Sequence, residues 1–210
     1  MSKKQNVLVA GANGTTGKII IDLLKKSENY RPIAMVRNQD QKDHFEKQNI
    51  TSILADLEAD LSHVMKDVNK VIFAAGSKGK NIIGVDQEGA KRLTDAAKEA
   101  GIEKFVMLSS IGADDPSKSD VLVDYLFAKQ NADDYLIASG LDYTIVRPGS
   151  LTDTEGTGKI ELKEKLETHG SISRADVAHT LVKVLEDDLK KNQIFEIIAG
   201  EVLIEKALQS

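Results

Sequence analysis

The sequence of 210 residues has no cysteine, no tryptophan and only 3 prolines. Without cysteine the chain cannot form a disulfide, supply thiolate ligands to zinc or an iron–sulfur cluster, or act through a cysteine nucleophile. It also lacks an apolar run long enough to span a bilayer, and its first residues lack the apolar stretch of a signal peptide. These absences predict a cytoplasmic protein that has no membrane partner.

The sequence also has no excess of basic residues. The chain carries 28 Lys and Arg against 33 Asp and Glu, which gives a formal net charge of −5. Binding to nucleic acid without sequence preference needs Lys and Arg to neutralise phosphates, so we expect no nucleic-acid partner. The histidines lack the spacing of metal ligands, and we expect no metal site. These histidines are His44, His63, His169 and His179, of which His169 is expected in a loop.

Short apolar runs alternate with helix-like segments along the whole chain. The runs predict strands at Val7–Ala10, Pro32–Val36, Ser52–Ala55, Lys70–Ala75, Lys104–Leu108, Tyr143–Val146 and Ile194–Ile198. Helices are expected around residues 19–24, 40–48, 61–66, 85–100, 121–139 and 177–185. Apolar strands that alternate with helices predict an α/β fold in which a doubly wound parallel sheet has helices on both faces.

The length favours a single domain over residues 1–210. Thr, Asp and Gly cluster in Thr152–Gly158, which predicts a loop after the sixth strand. We therefore expect residues 1–150 to form a cofactor-binding core. Residues 151–210 are expected to complete the sheet and to form a small portion on the substrate side.

Three glycines lie in the turn that links the first strand to the first helix. In Gly11-Ala-Asn-Gly14-Thr-Thr-Gly17, Gly11 permits the tight turn, Gly14 allows the backbone to approach a diphosphate, and Gly17 allows close packing of the helix. The free N–H groups at the start of the helix favour an anion. The turn therefore predicts dinucleotide binding, with contacts from Gly11, Asn13, Gly14, Thr15, Thr16 and Gly17. An ordinary glycine-containing turn is the alternative.

The ends of the next strands fit the same crevice, because ligands of open α/β sheets bind outside the carboxyl ends of the strands. The second strand ends at Arg37, and no carboxylate follows until Asp40. An arginine at this position accommodates the 2′-phosphate of NADP, so NADP is expected and NAD remains an alternative. Further cofactor contacts are expected from the third and fourth strand ends, at Asp56, Leu57, Ala74, Ala75 and Gly76.

A tyrosine and a lysine lie one helical turn apart at Tyr125 and Lys129. An ammonium group near a phenol favours the phenolate, which suits the tyrosine to proton exchange with a carbonyl or hydroxyl. Lys129 is also expected to bind the nicotinamide ribose. Ser109 and Ser110 close the fifth strand, where a hydroxyl either stabilises developing negative charge on a substrate or belongs to an ordinary turn residue. The Tyr-x-x-x-Lys spacing also arises by chance.

With these motifs together, the sequence resembles the atypical short-chain dehydrogenase/reductase proteins. The resemblance is to small bacterial NAD(P)H-binding members near the biliverdin/flavin reductase and NmrA-like groups of the epimerase/dehydratase superfamily. It covers nearly the whole chain and includes the block Ser139-Gly-Leu-Asp-Tyr-Thr-Ile-Val-Arg-Pro-Gly149. It implies a Rossmann fold, a catalytic trio of Ser110, Tyr125 and Lys129, and cofactor contacts from Pro148, Gly149, Ser150 and Leu151.

The motifs and the resemblance favour an NADP(H)-dependent oxidoreductase that acts on a small carbonyl or redox-active molecule. Two alternatives stay open, namely an NAD(P)-sensing regulatory protein without turnover and an enzyme similar to the nucleotide-sugar epimerases and dehydratases. The expected partner is a small-molecule substrate, and the expected oligomeric state is a monomer or a homodimer.

Overall fold

A sheet of nine strands forms the centre of the molecule. The computed structural model describes residues 3–168 and 170–210, so the loop expected at His169 and the first two residues lie outside the described part. The strand order is β11-β8-β10-β6-β5-β4-β1-β2-β3. Strands β1 to β6 are therefore arranged 3-2-1-4-5-6, which is the order of the dinucleotide-binding Rossmann fold. The predicted fold is confirmed.

The strands and helices follow the predicted alternation through most of the chain. The strands are β1 Gln5–Ala10, β2 Tyr30–Val36, β3 Thr51–Leu54, β4 Lys70–Phe73, β5 Lys104–Leu108, β6 Tyr143–Pro148, β7 Ser150–Thr152, β8 Lys159–Lys163, β9 Ser171–Ser173, β10 Gln193–Ala199 and β11 Val202–Leu203. The helices are α1 Thr15–Lys26, α2 Gln39–Glu46, α3 Glu88–Glu99, α4 Val123–Ala138, α5 Arg174–Lys183 and α6 Ile204–Ala207. Single turns of 3₁₀ helix occur at Ser62–Met65 and Pro116–Lys118, and a π-helical turn, Ile82–Gln87, leads into α3.

The strands are buried on both faces because each face carries its own layer of helices. On one face, β1 contributes Val7 and Val9 to a core that includes α1 and α5. On the other face, Leu8 and Ala10 of the same strand pack in a core with α3 and α4. This alternation is the period of two that a strand requires. Strands β1, β2, β4, β5 and β6 run parallel, so the helices on both faces begin at the same edge of the sheet.

The C-terminal part contains more strands than the apolar runs of the sequence predict. Strand β10 pairs in parallel with β6, as a parallel sheet requires, but β8 and β11 add an antiparallel edge. A separate two-stranded sheet joins β7 to β9 in parallel. The predicted loop Thr152–Gly158 lies between β7 and β8, and only its first residue belongs to a strand. The two predicted parts, 1–150 and 151–210, thus both contribute strands to one sheet, and their assignment to cofactor and substrate remains a prediction.

Across residues 3–168 and 170–210, no helix combines the length and the apolar composition that a membrane crossing requires.

Candidate functional site

A cavity of about 1300 Å³ opens at the carboxyl edge of the central strands. It is bounded by the ends of β1 to β5, the first turns of α1 and α4, the π-helical turn and the start of α5. Most residues predicted to bind the cofactor or to act on the substrate line it, namely Gly11, Asn13, Gly14, Thr15, Thr16, Arg37, Asp56, Leu57, Ala74, Ala75, Gly76, Tyr125, Lys129 and Leu151. Five others lie outside the lining, and these are Gly17, Ser110, Pro148, Gly149 and Ser150.

The glycine turn after β1 is tight enough to exclude larger residues at two positions. Gly11 has a φ of +86°, and a Cβ added there would lie 2.6 Å from the carbonyl oxygen of Ala74 and from the amide nitrogen of Ala75. A Cβ on Gly17 would collide with the backbone of Gly11. The backbone N–H of Gly14 donates to the Gly11 carbonyl at 2.9 Å, which closes the turn. The turn therefore has the compact shape that lets backbone amides approach a ligand.

The first helix begins beside the cavity without a side-chain cap. Among the described residues, no side chain accepts a hydrogen bond from the first turn of α1, and that turn contains no acidic residue. The opening N–H groups of a helix need acceptors, and the helix dipole favours an anion there. Thr15 and Thr16 line the cavity at this point. A diphosphate fits the site because its oxygens supply the acceptors that the protein does not.

At the end of β2, Arg37 is exposed at the cavity wall. Its backbone N–H donates to Oε1 of Gln41 at 3.0 Å, and Asn38 caps α2 by accepting from the Gln41 N–H. Asp40, the first carboxylate after β2, does not line the cavity. At the end of β3, Asp56 is also exposed, and its Oδ1 accepts from the N–H of Glu58 at 3.0 Å.

Helix α4 places Tyr125 and Lys129 in the same cavity wall. Nζ of Lys129 lies 5.7 Å from the centroid of the Tyr125 ring and donates to the Leu108 carbonyl oxygen at 3.1 Å. Lys129 is only 3% exposed, whereas Tyr125 is half-buried. The strand end thus fixes the ammonium group beneath the phenol, and the phenol remains accessible from the cavity.

The serine that reaches the cavity is Ser109 rather than Ser110. Ser109 lines the cavity, and its hydroxyl donates to Oδ2 of Asp133 at 2.8 Å. The hydroxyl of Ser110 donates to the carbonyl of Ile111 at 3.1 Å. Since the Ser109 proton is taken by Asp133, this hydroxyl has only acceptor capacity left for a ligand. The predicted role of Ser110 in catalysis stays a prediction.

Below Ser109, a buried ion pair joins α4 to β6. Oδ2 of Asp133 accepts from Nε and Nη2 of Arg147 at 3.1 and 3.0 Å. Within the described residues, Oδ1 of Asp133 has no hydrogen-bond partner. Burial raises the pKa of Asp133, although the nearby guanidinium acts in the opposite direction. No local sequence pattern indicates this pair, because Asp133 lies 24 positions from Ser109 and 14 from Arg147.

The segment after β6 serves packing in this structure. The Gly149 N–H donates to the carbonyl of Ile197 at 2.9 Å, and the Ser150 N–H donates to the carbonyl of Gly170 at 3.0 Å. A Cβ on Gly149 would collide with the Gly170 backbone. These bonds attach β6 to β10 and β7 to β9. Of the four residues expected to contact the cofactor here, only Leu151 reaches the cavity, and the contacts from the other three remain predictions.

Several cavity residues are not among the named site residues, although the sequence predicts a substrate cleft made by the 77–84 loop, the 111–120 loop and the 150–170 segment. Residues 77–82 line one side, and the Ser77 N–H donates to Oδ2 of Asp86 in the π-helical turn at 2.9 Å. Val121 and Leu122, which precede α4, expose apolar surface at the mouth. Asp153 and Arg174 complete the wall on the side of α5. Loops and short strands of this kind carry little periodicity from which a site could be predicted.

The sequence signature of a family described as NAD(P)H-binding matches residues 11–188. The chain belongs to this NAD(P)H-binding family. The match starts at the first glycine of the turn that lines the cavity and ends beyond α5. The description of the family therefore agrees with the fit of a dinucleotide to the uncapped turn.

Individual relatives agree with the family over nearly the full length. An uncharacterized sugar epimerase of Bacillus subtilis is 36% identical over 211 residues, which cover 97% of this chain and 98% of the relative. A Bacillus halodurans protein named as an NAD-dependent epimerase/dehydratase has a TM-score of 0.93 at 36% identity, covering 98% of this chain and 99% of that one. An oxidoreductase from Lactococcus lactis has a TM-score of 0.87 at 28% identity, covering 98% and 95%.

The predicted resemblance to NAD(P)H-binding proteins related to the epimerases and dehydratases is therefore confirmed. Oxidoreductases occur among the structural neighbours. The family description does not distinguish NADP from NAD.

Proposed function

We propose that the chain is an NADP(H)-dependent oxidoreductase of the short-chain dehydrogenase/reductase type that acts on a small carbonyl or redox-active substrate. The observation that carries the proposal is that one cavity contains both the glycine turn and the Tyr125–Lys129 pair. A binding module would need only the turn. The pair adds a proton donor with a buried cation below it, next to the place where the cofactor would end.

The cavity residues follow the order of the parts of a dinucleotide. Asp56 and Leu57 are assigned to the adenine, and the start of α1 is assigned to the diphosphate. Lys129 is assigned to the nicotinamide ribose, because its ammonium lies at the end of β5. The bound nicotinamide would supply the hydride.

Tyr125 is assigned as the catalytic acid. A carbonyl that receives a hydride gains negative charge on oxygen, and the Tyr125 hydroxyl would give its proton to that oxygen. Lys129 stabilises the phenolate that is left, since its Nζ lies 5.7 Å from the ring centroid. Ser109, whose own proton is engaged by Asp133, would accept a hydrogen bond from the ribose, from the amide of the nicotinamide or from Tyr125.

The preference for NADP over NAD is assigned to Arg37. The guanidinium is exposed at the end of β2, where the 2′-position of the adenosine ribose lies in this fold. Its planar set of donors matches a phosphate, whereas a ribose hydroxyl is usually bound there by a carboxylate.

The names of two relatives favour a second candidate function, that of an epimerase or dehydratase acting on a nucleotide sugar. Such an enzyme would change the sugar and leave the oxidation state of the dinucleotide unchanged over the full cycle. Chromatography of nucleotide sugars incubated with the protein would detect it.

The test compares two tyrosines of one helix. We expect Tyr125→Phe to lower kcat by about 100-fold or more, because the proton donor is lost, while the Kd for NADPH stays within about twofold. Tyr135→Phe is the matched control, since Tyr135 lies on the outer side of α4 and donates to Asp95. The measurement is oxidation of NADPH with quinones, flavins and aldehydes, with binding followed by nicotinamide fluorescence.

Equal kcat in the wild type and Tyr125→Phe would remove Tyr125 from the mechanism. Saturable NADPH binding without oxidation by any acceptor would favour a dinucleotide-sensing regulatory protein instead.

A further inference from the structure

One ion pair in the cavity wall has no role in the proposed chemistry. Strands β7 and β9 pair in parallel with Thr152 opposite Ser173, so the residues that follow, Asp153 and Arg174, emerge side by side. Nη1 of Arg174 donates to Oδ1 of Asp153 at 2.8 Å. Both residues line the cavity, and among the described residues no other ion pair has both of its members there.

The two partners differ in their exposure to water. The Arg174 side chain is 25% exposed, whereas the Asp153 side chain is 75% exposed. A sheltered guanidinium binds an anion more strongly than a fully hydrated one, because fewer of its donors are shared with water. Separating an exposed carboxylate from its partner costs little free energy, since exposed ion pairs contribute only about 0 to 1 kcal/mol. A ligand anion can therefore replace Asp153 at small cost.

The backbone around the pair is fixed independently of the pair. Asp176 accepts from the N–H of Thr157 at 3.0 Å and from the N–H of Gly158 at 2.8 Å, which attaches the loop to α5. Exchange of the partner of Arg174 thus needs only a rotation of the Asp153 side chain.

Arg174 lies on the side of the cavity that the phosphate-binding turn occupies. Helices α1 and α5 pack in one core on the same face of the sheet, and Thr15, Thr16 and Arg174 all line the cavity. Tyr125 belongs to α4 on the opposite face. Arg174 and the phosphate-binding turn therefore lie on one face of the sheet, and Tyr125 lies on the other face, within one cavity.

We propose that Arg174 is a second anion-binding group of the cavity and that Asp153 is the counter-ion that a bound anion displaces. The ligand group is a phosphate or carboxylate whose two oxygens match the guanidinium. It belongs either to the diphosphate of the dinucleotide or to an anionic substituent of the second substrate. This inference rests on the proposed function, because it requires a dinucleotide in the cavity.

The test uses variants for which the proposal requires opposite effects. Arg174→Gln removes the cation, and Asp153→Asn removes only the competing charge. Lys191→Gln is the control for loss of a surface ion pair, since Lys191 binds Asp142 and does not line the cavity. Thermal unfolding verifies that all variants fold. The probes are NADP⁺, titrated by calorimetry, and FMN and riboflavin, which differ by one phosphate and are titrated by flavin fluorescence into protein saturated with NADP⁺.

If the anion is the cofactor diphosphate, Arg174→Gln raises the Kd for NADP⁺ about tenfold and Asp153→Asn lowers it about threefold. If the anion belongs to the substrate, the same opposite changes appear in the Kd for FMN and not for riboflavin.

A Kd that stays within about twofold in every titration of Arg174→Gln overturns the assignment of Arg174. A Kd that does not fall in any titration of Asp153→Asn overturns the displacement of the carboxylate. Both results require that the wild type binds NADP⁺. Absence of binding by the wild type would instead overturn the proposed function and this inference with it.

Discussion

Arg37 is the side chain on which the proposed choice between NADP and NAD depends. It was predicted from its position alone, at the end of an apolar run with no carboxylate beside it. The structure places it in the cavity wall, with its backbone N–H bonded to Gln41 and its side chain exposed. Position along a strand could be predicted because the strand pattern was strong. The orientation of the Arg37 side chain toward a ligand could not be predicted, since it depends on neighbours from other strands.

We expect Arg37→Ala to raise the Kd for NADPH about tenfold or more and to leave the Kd for NADH nearly unchanged, because only NADPH carries the 2′-phosphate. Arg31→Ala is the matched control, since Arg31 is an exposed arginine near the opposite end of β2. Fluorescence titration with both dinucleotides provides the measurement. Equal weakening of both dinucleotides would show that Arg37 does not read the 2′-phosphate.

The position of Ser109, rather than Ser110, in the cavity wall is a second residue-level feature that the sequence does not predict. Two adjacent serines at a strand end point to opposite faces of the sheet. Which one reaches the cavity depends on a partner distant in sequence, Asp133, and on its ion pair with Arg147. No local pattern connects these residues.

At the scale of elements, the buried pair of Asp133 and Arg147 attaches α4 to β6 beneath the cavity. The same carboxylate accepts from Ser109 at the end of β5, so three elements meet at one side chain that is fully buried. The position of Tyr125 depends on this attachment, because Tyr125 and Asp133 belong to the same helix.

We expect Arg147→Met to lower the free energy of unfolding by about 3 to 5 kcal/mol at pH 7, because it leaves a buried carboxylate without its cation. The folded-state pKa of Asp133 is already raised by burial and rises further in this variant. A carboxyl group whose pKa is higher in the folded state than in the unfolded state lowers the free energy of unfolding at pH values above the unfolded-state pKa. This loss of stability becomes smaller as the pH decreases through the folded-state pKa. Urea unfolding should therefore show a smaller difference from wild type at pH 5 than at pH 7.

The double variant Asp133→Leu with Arg147→Met serves as the control. It removes both charges, and we expect it to be more stable than Arg147→Met alone. A loss in Arg147→Met that is independent of pH and unchanged in the double variant would contradict an electrostatic origin.

The elements themselves could be predicted to different degrees. Strands β1 to β6 and helices α1, α3, α4 and α5 were expected near their observed positions, because apolar runs and helical periodicity mark them. Strands β7, β9 and β11 are only two or three residues long, so they carry no period. In β8 the signal was present, since Ile160 and Leu162 alternate with charged residues in Lys159–Lys163.

At the scale of the molecule, two buried lysines connect the C-terminal part to the central strands at the edge opposite the cavity. Lys70 of β4 donates to the Leu185 carbonyl at 2.6 Å and forms an ion pair with Asp187. Lys104 of β5 donates to the carbonyls of Glu186 and Leu189 at 2.6 and 2.7 Å. Burial, together with the neighbouring Lys70, lowers the pKa of Lys104 from 10.5 to about 8.

This pKa gives stability a defined dependence on pH. The folded protein releases the Lys104 proton at lower pH than the unfolded chain, so the unfolded state binds more protons between about pH 8 and 10.5. The contribution of Lys104 to the free energy of unfolding therefore rises in this window, by about 2 kcal/mol from pH 8 to pH 10. The pKa of Tyr30, raised to about 12 by burial, opposes this trend only above pH 10.

Urea unfolding of the wild type and of Lys104→Met from pH 7 to pH 10 measures this contribution. We expect the free energy of unfolding of the wild type to rise with pH relative to that of the variant, because the variant has no titratable group at position 104. Parallel curves for the two proteins would contradict a lowered pKa at Lys104.

The sequence predicts the class of function better than it predicts the substrate, because a dinucleotide is bound by a local turn and a substrate is bound by distant loops.

The proposed function depends on binding of the NADP(H) diphosphate by the turn at Gly11. Calorimetric titration of NADPH into the wild type, Gly11→Ala and Gly140→Ala measures this binding. Both glycines have a positive φ, +86° and +82°, but a Cβ on Gly11 meets the backbone of Ala74 and Ala75, whereas a Cβ on Gly140 meets open space.

We expect saturable binding of NADPH to the wild type and to Gly140→Ala. We expect Gly11→Ala, where circular dichroism shows it folded, to bind at least about tenfold more weakly, because the displaced turn moves its amides away from the phosphates. Absence of binding to the wild type, or equal binding to all three folded proteins, would show that this turn does not bind the diphosphate.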